Sequence, residues 1–297
     1  MYSNVNFLRF RQPGLTFIRI LFLGLAWSLS SCETIDEIDL PEDPPHLVVN
    51  SIFNADSALT VNLSKSHSVN INYPVFEHVE NAVVEVYKNK VPLAKLNYLG
   101  KGNYRSSSPL AGIPYAEYSL KINVSGFKTA EASDILPGKP VVVSSRFELD
   151  PKSTNVERNY KGTFVLDDNI ENNFYELRIF DNTDRRELAY DLDNKLNQFN
   201  LANTSLRTVQ LFDDKSFNGK KITMEFSFLF YNTNNKARTI SIILKNISQP
   251  YYDYQYSAKR YFSSDPVLSP AQPVKNNIIN GSGVFGTYNA IVISAQL

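Results

Sequence analysis

Cysteine is almost missing from this chain: one occurs in 297 residues, at Cys32, so no disulfide forms within it and stability must come from packed cores. Histidine is nearly as scarce. His46, His67 and His78 are the only three, and their spacing, with Glu77 and Glu80 beside the second and third, matches no compact ligand pattern. Neither a metal nor another cofactor is therefore expected. Charge of one sign is not in surplus either, with 30 basic and 30 acidic side chains and no basic stripe, which argues against a nucleic-acid partner. The N-terminal apolar run, Ile20 to Trp27, falls well short of the roughly 20 residues that cross a bilayer as a helix.

That short run is informative for another reason. It follows Arg9, Arg11 and Arg19 and ends in Leu29-Ser30-Ser31-Cys32, the three parts of a signal segment: basic start, apolar centre, small-residue exit. The exit resembles the lipobox of bacterial lipoproteins, which implies removal of residues 1–31 and acylation of Cys32. Two or more acyl chains anchor firmly where one anchors marginally. Residues 1–31 hold three basic and no acidic groups, so the remainder carries 27 basic against 30 acidic ones, a formal net charge of −3. Six of those acids, Glu33, Asp36, Glu37, Asp39, Glu42 and Asp43, stand directly behind the cysteine with Pro41, Pro44 and Pro45. Residues 32–45 thus read as an extended, solvated tether. Acids in this place are similar to the surface-export signals of Bacteroidota lipoproteins. The expected location is the outer membrane, on either its periplasmic or its outer face.

Beyond the tether, side chains alternate with a period of two. Leu59, Val61 and Leu63 alternate with polar neighbours, as do Leu120, Ile122 and Val124; Tyr175, Leu177 and Ile179 alternate with Glu176 and Arg178. The pattern returns from Ile222 to Phe230, at Ile240, Ile242 and Leu244, and at Ile291 and Ile293. Such alternation places one row of side chains in a core and the other in water. With turns such as Ser125-Gly126 and Asn218-Gly219 between the strands, it predicts an all-β protein of antiparallel sheets. Leu136-Pro137-Gly138-Lys139-Pro140 interrupts the pattern, giving an N-terminal domain over 46–139 and a C-terminal one over 140–297. For the latter, sandwich and barrel present the same alternation.

One stretch breaks the β pattern. Pro250 to Phe262 predicts a single helix, with Ser248 as its cap, proline in the first turn and Lys259 and Arg260 near the end, where the dipole favours cations. Its tyrosines, Tyr251, Tyr252, Tyr254, Tyr256 and Tyr261, fall on several faces. Either they pack the helix across an open end of the β domain with hydroxyls at the rim, or they form an aromatic surface for a partner or ligand.

Catalytic patterns are scarce. Gly281-Ser282-Gly283-Val284-Phe285-Gly286 has dinucleotide-site spacing, but a strand follows where a helix is required, so the glycines read as a loop before the last strand. Asp167-Asp168 and Asp213-Asp214 are paired carboxylates beside turn residues, where aspartate has a local hydrogen-bonding use. Ser282 lies outside any Gly-x-Ser-x-Gly elbow. These readings favour a protein that is not an enzyme.

Several segments carry a resemblance to a known family. Leu47 to Phe53, Val61 to Ser66, Val79 to Val86, Gly102-Asn103-Tyr104, Ala116 to Leu120, Phe217 to Lys220 and Pro266 to Gly286, in this order behind the lipobox, resemble the DUF4249 family of Bacteroidota lipoproteins. The resemblance covers nearly the whole mature chain. It implies an immunoglobulin-like or transthyretin-like sandwich followed by a second β domain, and a partner among TonB-dependent outer-membrane transporters. The function it implies is that of a non-enzymatic accessory or ligand-presenting subunit. The alternatives are a stand-alone glycan- or peptide-binding surface lipoprotein and, third, an envelope hydrolase.

Overall fold

The computed structural model describes residues 44–67, 77–192, 208–231, 237–263 and 272–297. Cys32 and nearly all of the expected tether lie outside them. Among the described residues the chain is all-β with one helix. Its strands are, in order, β1 (Leu47–Asn54), β2 (Thr60–Lys65), β3 (Val83–Lys88), β4 (Val91–Lys95), β5 (Asn97–Gly100), β6 (Asn103–Arg105), β7 (Glu117–Asn123) and β8 (Ala130–Ile135). Past the proline-rich break come β9 (Val141–Leu149), β10 (Glu157–Asp167), β11 (Phe174–Asp181), β12 (Arg186–Glu187), β13 (Tyr190–Leu192), β14 (Val209–Asp213), β15 (Lys221–Tyr231) and β16 (Thr239–Ile247). Helix α1 (Gln249–Ser263) and strand β17 (Gly281–Gln296) complete the chain.

These strands form three sheets. A four-stranded sheet, β4-β3-β7-β8, and another, β13-β15-β10-β9, each face part of a single nine-stranded sheet ordered β12-β11-β16-β17-β1-β2-β6-β5, with β14 also on β11. Two apolar cores result. One gathers Leu47, Val49, Phe53, Tyr118 and Phe285; the other gathers Phe164, Leu177, Phe226, Phe230 and Ile242. Among the described residues the C-terminal region is an open sandwich and not a barrel, since its four-stranded sheet ends at β13 and β9.

Strand β17 joins both halves. Its residues Gly281 to Tyr288 run parallel to β1, and Tyr288 to Gln296 run antiparallel to β16 on the opposite edge. The glycines expected to form a loop before the last strand are therefore the start of that strand. They allow close approach: a Cβ on Gly283, which sits at φ 114°, would fall 2.1 Å from the Val49 carbonyl oxygen, and one on Gly286 would fall 2.7 Å from Tyr251 Cβ. Along the edge of β17 that β16 does not reach, the Asn277 side-chain amide pairs with both Phe285 backbone groups, at 2.8 and 3.0 Å. Those groups would otherwise remain an open sheet edge.

The inward face of β17 changes character along its length. Phe285 belongs to the first core, and Ile291, Ile293 and Ala295 pack on the second. Between them stand Thr287 and Asn289, both buried. Asn246 on β16 continues the polar patch. All three side chains hold the segment that connects the sandwiches: Thr287 Oγ1 donates to Ile135 O (2.9 Å), Asn289 Nδ2 to Pro137 O (2.6 Å) and Asn246 Nδ2 to Gly138 O (3.0 Å). The Leu136–Pro140 break is thus laid on the continuous sheet with its buried carbonyls satisfied.

Substituting Gly283 by alanine tests the dependence on β17. The positive φ and the clash with Val49 are expected to cost about 2 kcal/mol or more, read as a lower urea midpoint. An unchanged midpoint would show that β1 and β17 do not pair as described.

Candidate functional site

Helix α1 starts where the cap was expected. Ser248 Oγ accepts from the Tyr251 amide (3.4 Å), and Ser248 O accepts from Tyr252 N (2.9 Å), which satisfies donors of the first turn. The same serine binds β17 through both main-chain groups of Thr287: Ser248 N donates to Thr287 O (2.9 Å), and Thr287 N donates to Ser248 Oγ (3.1 Å). The helix therefore lies on the outer face of the nine-stranded sheet, where β11, β16 and β17 meet.

What it covers is partly apolar, with Leu211 and Ile247 buried against Tyr251 and Tyr252, and partly ionic. Glu176 on β11, which alternation assigns to water, is fully buried because α1 roofs that face. Its Oε1 accepts from Arg178 Nε (2.7 Å) and Lys245 Nζ (2.6 Å), and its Oε2 accepts from the Tyr251 hydroxyl (3.1 Å). Arg178 also reaches Glu187 (2.7 Å), and the Lys245 ammonium sits 4.7 Å from the Tyr288 ring centre. Burial by itself would raise the Glu176 carboxyl; the Lys245 and Arg178 charges outweigh it and hold the group below its ordinary value. Burial, aided by the Glu176 charge, pushes the Tyr251 hydroxyl well above the usual phenol range. Glu176, Arg178 and Lys245 were not picked out as site residues from the sequence. The available signal was opposite charges on outward strand positions near the one helix.

The five candidate tyrosines separate by depth. Tyr251 and Tyr252 are buried, Tyr252 against Phe174 with ring centres 4.7 Å apart. Desolvation lifts the Tyr252 hydroxyl to about 12. Tyr254 and Tyr256 are half-buried, with Tyr256 stacked on Tyr252 and the Arg260 guanidinium 5.8 Å from its ring centre. Tyr261 is exposed, and Phe262 beside it is 84% exposed. The structure thus combines the two readings: the N-terminal half of α1 packs inward, and its C-terminal end carries aromatic rings outward.

The other motifs serve local structure. Asp168 accepts from the Tyr175 hydroxyl (2.5 Å) and from Gly219 N (2.9 Å). Asp213 accepts from Lys215 N (3.3 Å) and Asp214 from Asn173 N (2.7 Å). Burial, reinforced by the Asp168 and Asp213 charges, lifts Asp214 to about 6. The His46 ring bridges Ser66 and Ser282, the His67 ring accepts from Glu77 N, and His78 pairs through its backbone with Ser64, so each histidine has a local structural place. Among the described residues no three His, Cys, Asp or Glu side chains gather as metal ligands, and no helix is long and apolar enough to cross a membrane.

The profile of a domain of unknown function, DUF4249, matches residues 34–291. The chain belongs to this family. No curated protein matches the DUF4249 chain in sequence. Solved structures that resemble it include the collagen-binding domain of surface protein RspB from Erysipelothrix rhusiopathiae, 6% identical over 82% of this chain and 95% of that one, with a TM-score of 0.27. Others are the collagen adhesin CNA of S. aureus (6% identical, 84% and 94% covered, TM-score 0.22) and the Bacillus cereus major pilin subunit BcpA (12%, 68% and 65%, TM-score 0.21). Likenesses this distant say nothing of what the DUF4249 chain binds.

Two substitutions separate the inner from the outer end of α1. Tyr251→Phe removes a hydrogen bond to a buried carboxylate and is expected to cost about 1.5–3 kcal/mol, whereas Tyr261→Ala should stay within about 0.5 kcal/mol. Urea unfolding monitored by circular dichroism distinguishes them. The lowered Glu176 value sets a pH dependence of definite sign. Its contribution is complete above the unfolded carboxylate value, about 4.3, and is lost as pH falls through the lower folded value. The stability gap between wild type and Glu176→Gln should therefore shrink below pH 4; a gap that widens in acid would contradict the network.

Proposed function

We propose that this DUF4249 protein is a non-enzymatic lipoprotein of the outer membrane, acting as an accessory or ligand-presenting subunit of a TonB-dependent transporter. The observation that carries the reading is the outer end of α1, where Tyr261 and Phe262 project from a helix whose other end is pinned to the shared sheet. Exposed aromatic rings on a rigid support suit protein recognition, because little side-chain freedom is lost on contact. The lipobox and acidic tether support a body held by Cys32 near the membrane, and the fused sandwiches support its acting as one rigid adaptor.

Affinity purification from detergent-solubilised native envelopes, with the chain tagged at its C-terminus and a Cys32→Ala strain as control, tests this reading. A TonB-dependent barrel recovered with the wild type, absent from the control and reduced by Tyr261→Ala with Phe262→Ala, is the expected result. Full recovery of the bait without any barrel would refute the transporter association. Binding of the purified chain to an extracellular glycan or peptide in that case would point to the stand-alone binding protein.

A further inference from the structure

Beside the clamped connection between the sandwiches lies a cleft of about 450 Å³. Its walls carry Glu117, Asp134 and Glu171 and no lysine, arginine or histidine. Asp134, Asn173 and Asn246, which are 6%, 4% and 2% exposed, all line it. Each has a buried oxygen that receives no hydrogen bond: Asp134 Oδ2, Asn173 Oδ1 and Asn246 Oδ1. The Asn246 amide is oriented by its Nδ2, which donates to Gly138 O, so its oxygen is the atom left over. Strand register brings the two amides close, because Tyr175 pairs with Asn246 and Phe174 with Ile247, which makes Asn173 a diagonal neighbour of Asn246. Asp134 approaches from the facing sheet, near the Ser248 and Thr287 hydroxyls.

The other buried carboxylates are satisfied differently. Glu176 has Lys245 and Arg178, Asp181 has Arg238, and Asp213 has Lys215. Asp168 and Asp214 accept from a phenol or backbone amides. Asp134 accepts from Ile135 N (2.9 Å), and the Ser248 and Thr287 hydroxyls and the Thr287 amide also act on it, but no basic group does; burial outweighs these donors and pushes it up to about 6, which leaves it mainly ionised at neutral pH. Buried charge of this kind is compensated by a counter-ion or a metal.

We propose that this cleft binds a hard divalent cation, calcium in the first instance, through the Asp134 carboxylate and the amide oxygens of Asn173 and Asn246. Carboxylate and amide oxygens, without thiolate or imidazole, are the donors calcium accepts, and its flexible shell of six to eight oxygens leaves places for water and main-chain carbonyls. Glu117 and Glu171 add negative potential at the walls. A single deeply buried carboxylate places the affinity in the weak range of extracellular calcium modules, with Kd on the order of 10⁻⁴–10⁻³ M.

The full-length chain, purified in detergent and stripped with chelator, is titrated with calcium chloride by calorimetry and melted at pH 7 with and without 10 mM calcium. One ion per chain and a melting midpoint raised by about 3–10 °C are expected. In Asp134→Asn, which keeps the shape and removes the buried charge, the calcium-free midpoint should be no lower than wild type and the calcium response should vanish. Should that variant fail to fold, Glu171→Gln at the exposed wall replaces it, with affinity reduced about two-fold or more. An absent response in the wild type would overturn the proposal. So would an equal response in the variant, an equal response to sodium chloride at matched ionic strength, or a response to ethylammonium and not to calcium.

Discussion

Strand β17 is a hydrogen-bonded ladder on both edges, to β1 over its first half and to β16 over its second, and each remaining feature is referred to it. Without that ladder there would be two small sandwiches on a proline-rich leash. With it there is one continuous sheet, on whose inner face the connecting segment is fastened and on whose outer face the helix is seated. The parallel pairing of β1 with β17 makes this possible, because it lets the chain's last strand pass from one core to the other without a turn.

Two placements of polarity follow from that sheet. On the inner face, side chains run from apolar to polar and back, and the polar ones stand where neither core reaches. On the outer face, Glu176, Arg178 and Lys245 are enclosed by α1. Enclosing ions is costly, and removing a single partner of a buried pair typically costs about 3–5 kcal/mol. Here two cations and a phenol meet one carboxylate, so its lone pairs are used and the helix is tied by Tyr251 at one defined position.

Much of the architecture could be read from the residues. Alternation located the strands, Ser248 and Pro250 located the helix, and the all-β class followed, while sandwich and barrel stayed open for the C-terminal domain until the sheet edges were seen. What alternation misassigned was Glu176, since period two identifies a face but not whether a helix later covers it. The glycines of Gly281-Ser282-Gly283-Val284-Phe285-Gly286 pointed to a loop because their purpose, contact with Val49 and Tyr251, depends on neighbours distant in sequence. The polar positions Thr287, Asn289 and Asn246 carried no local signal for the same reason. Of the tyrosines, the sequence supplied the spread around the helix, while only packing separates Tyr251 from Tyr261.

The His46–Ser282 contact joins residues 236 positions apart, at the edge of the β1–β17 pair. Closing so distant a pairing is slow, because chain entropy must be lost before the contact is gained. A ribosome delivers β1 well before β17, so the first sandwich has an unfilled place beside β1 until β17 is made. The nine-stranded sheet, the clamp on the connecting segment and the seat of the helix therefore all wait on the docking of residues 281–296, which couples the folding of both sandwiches to one strand.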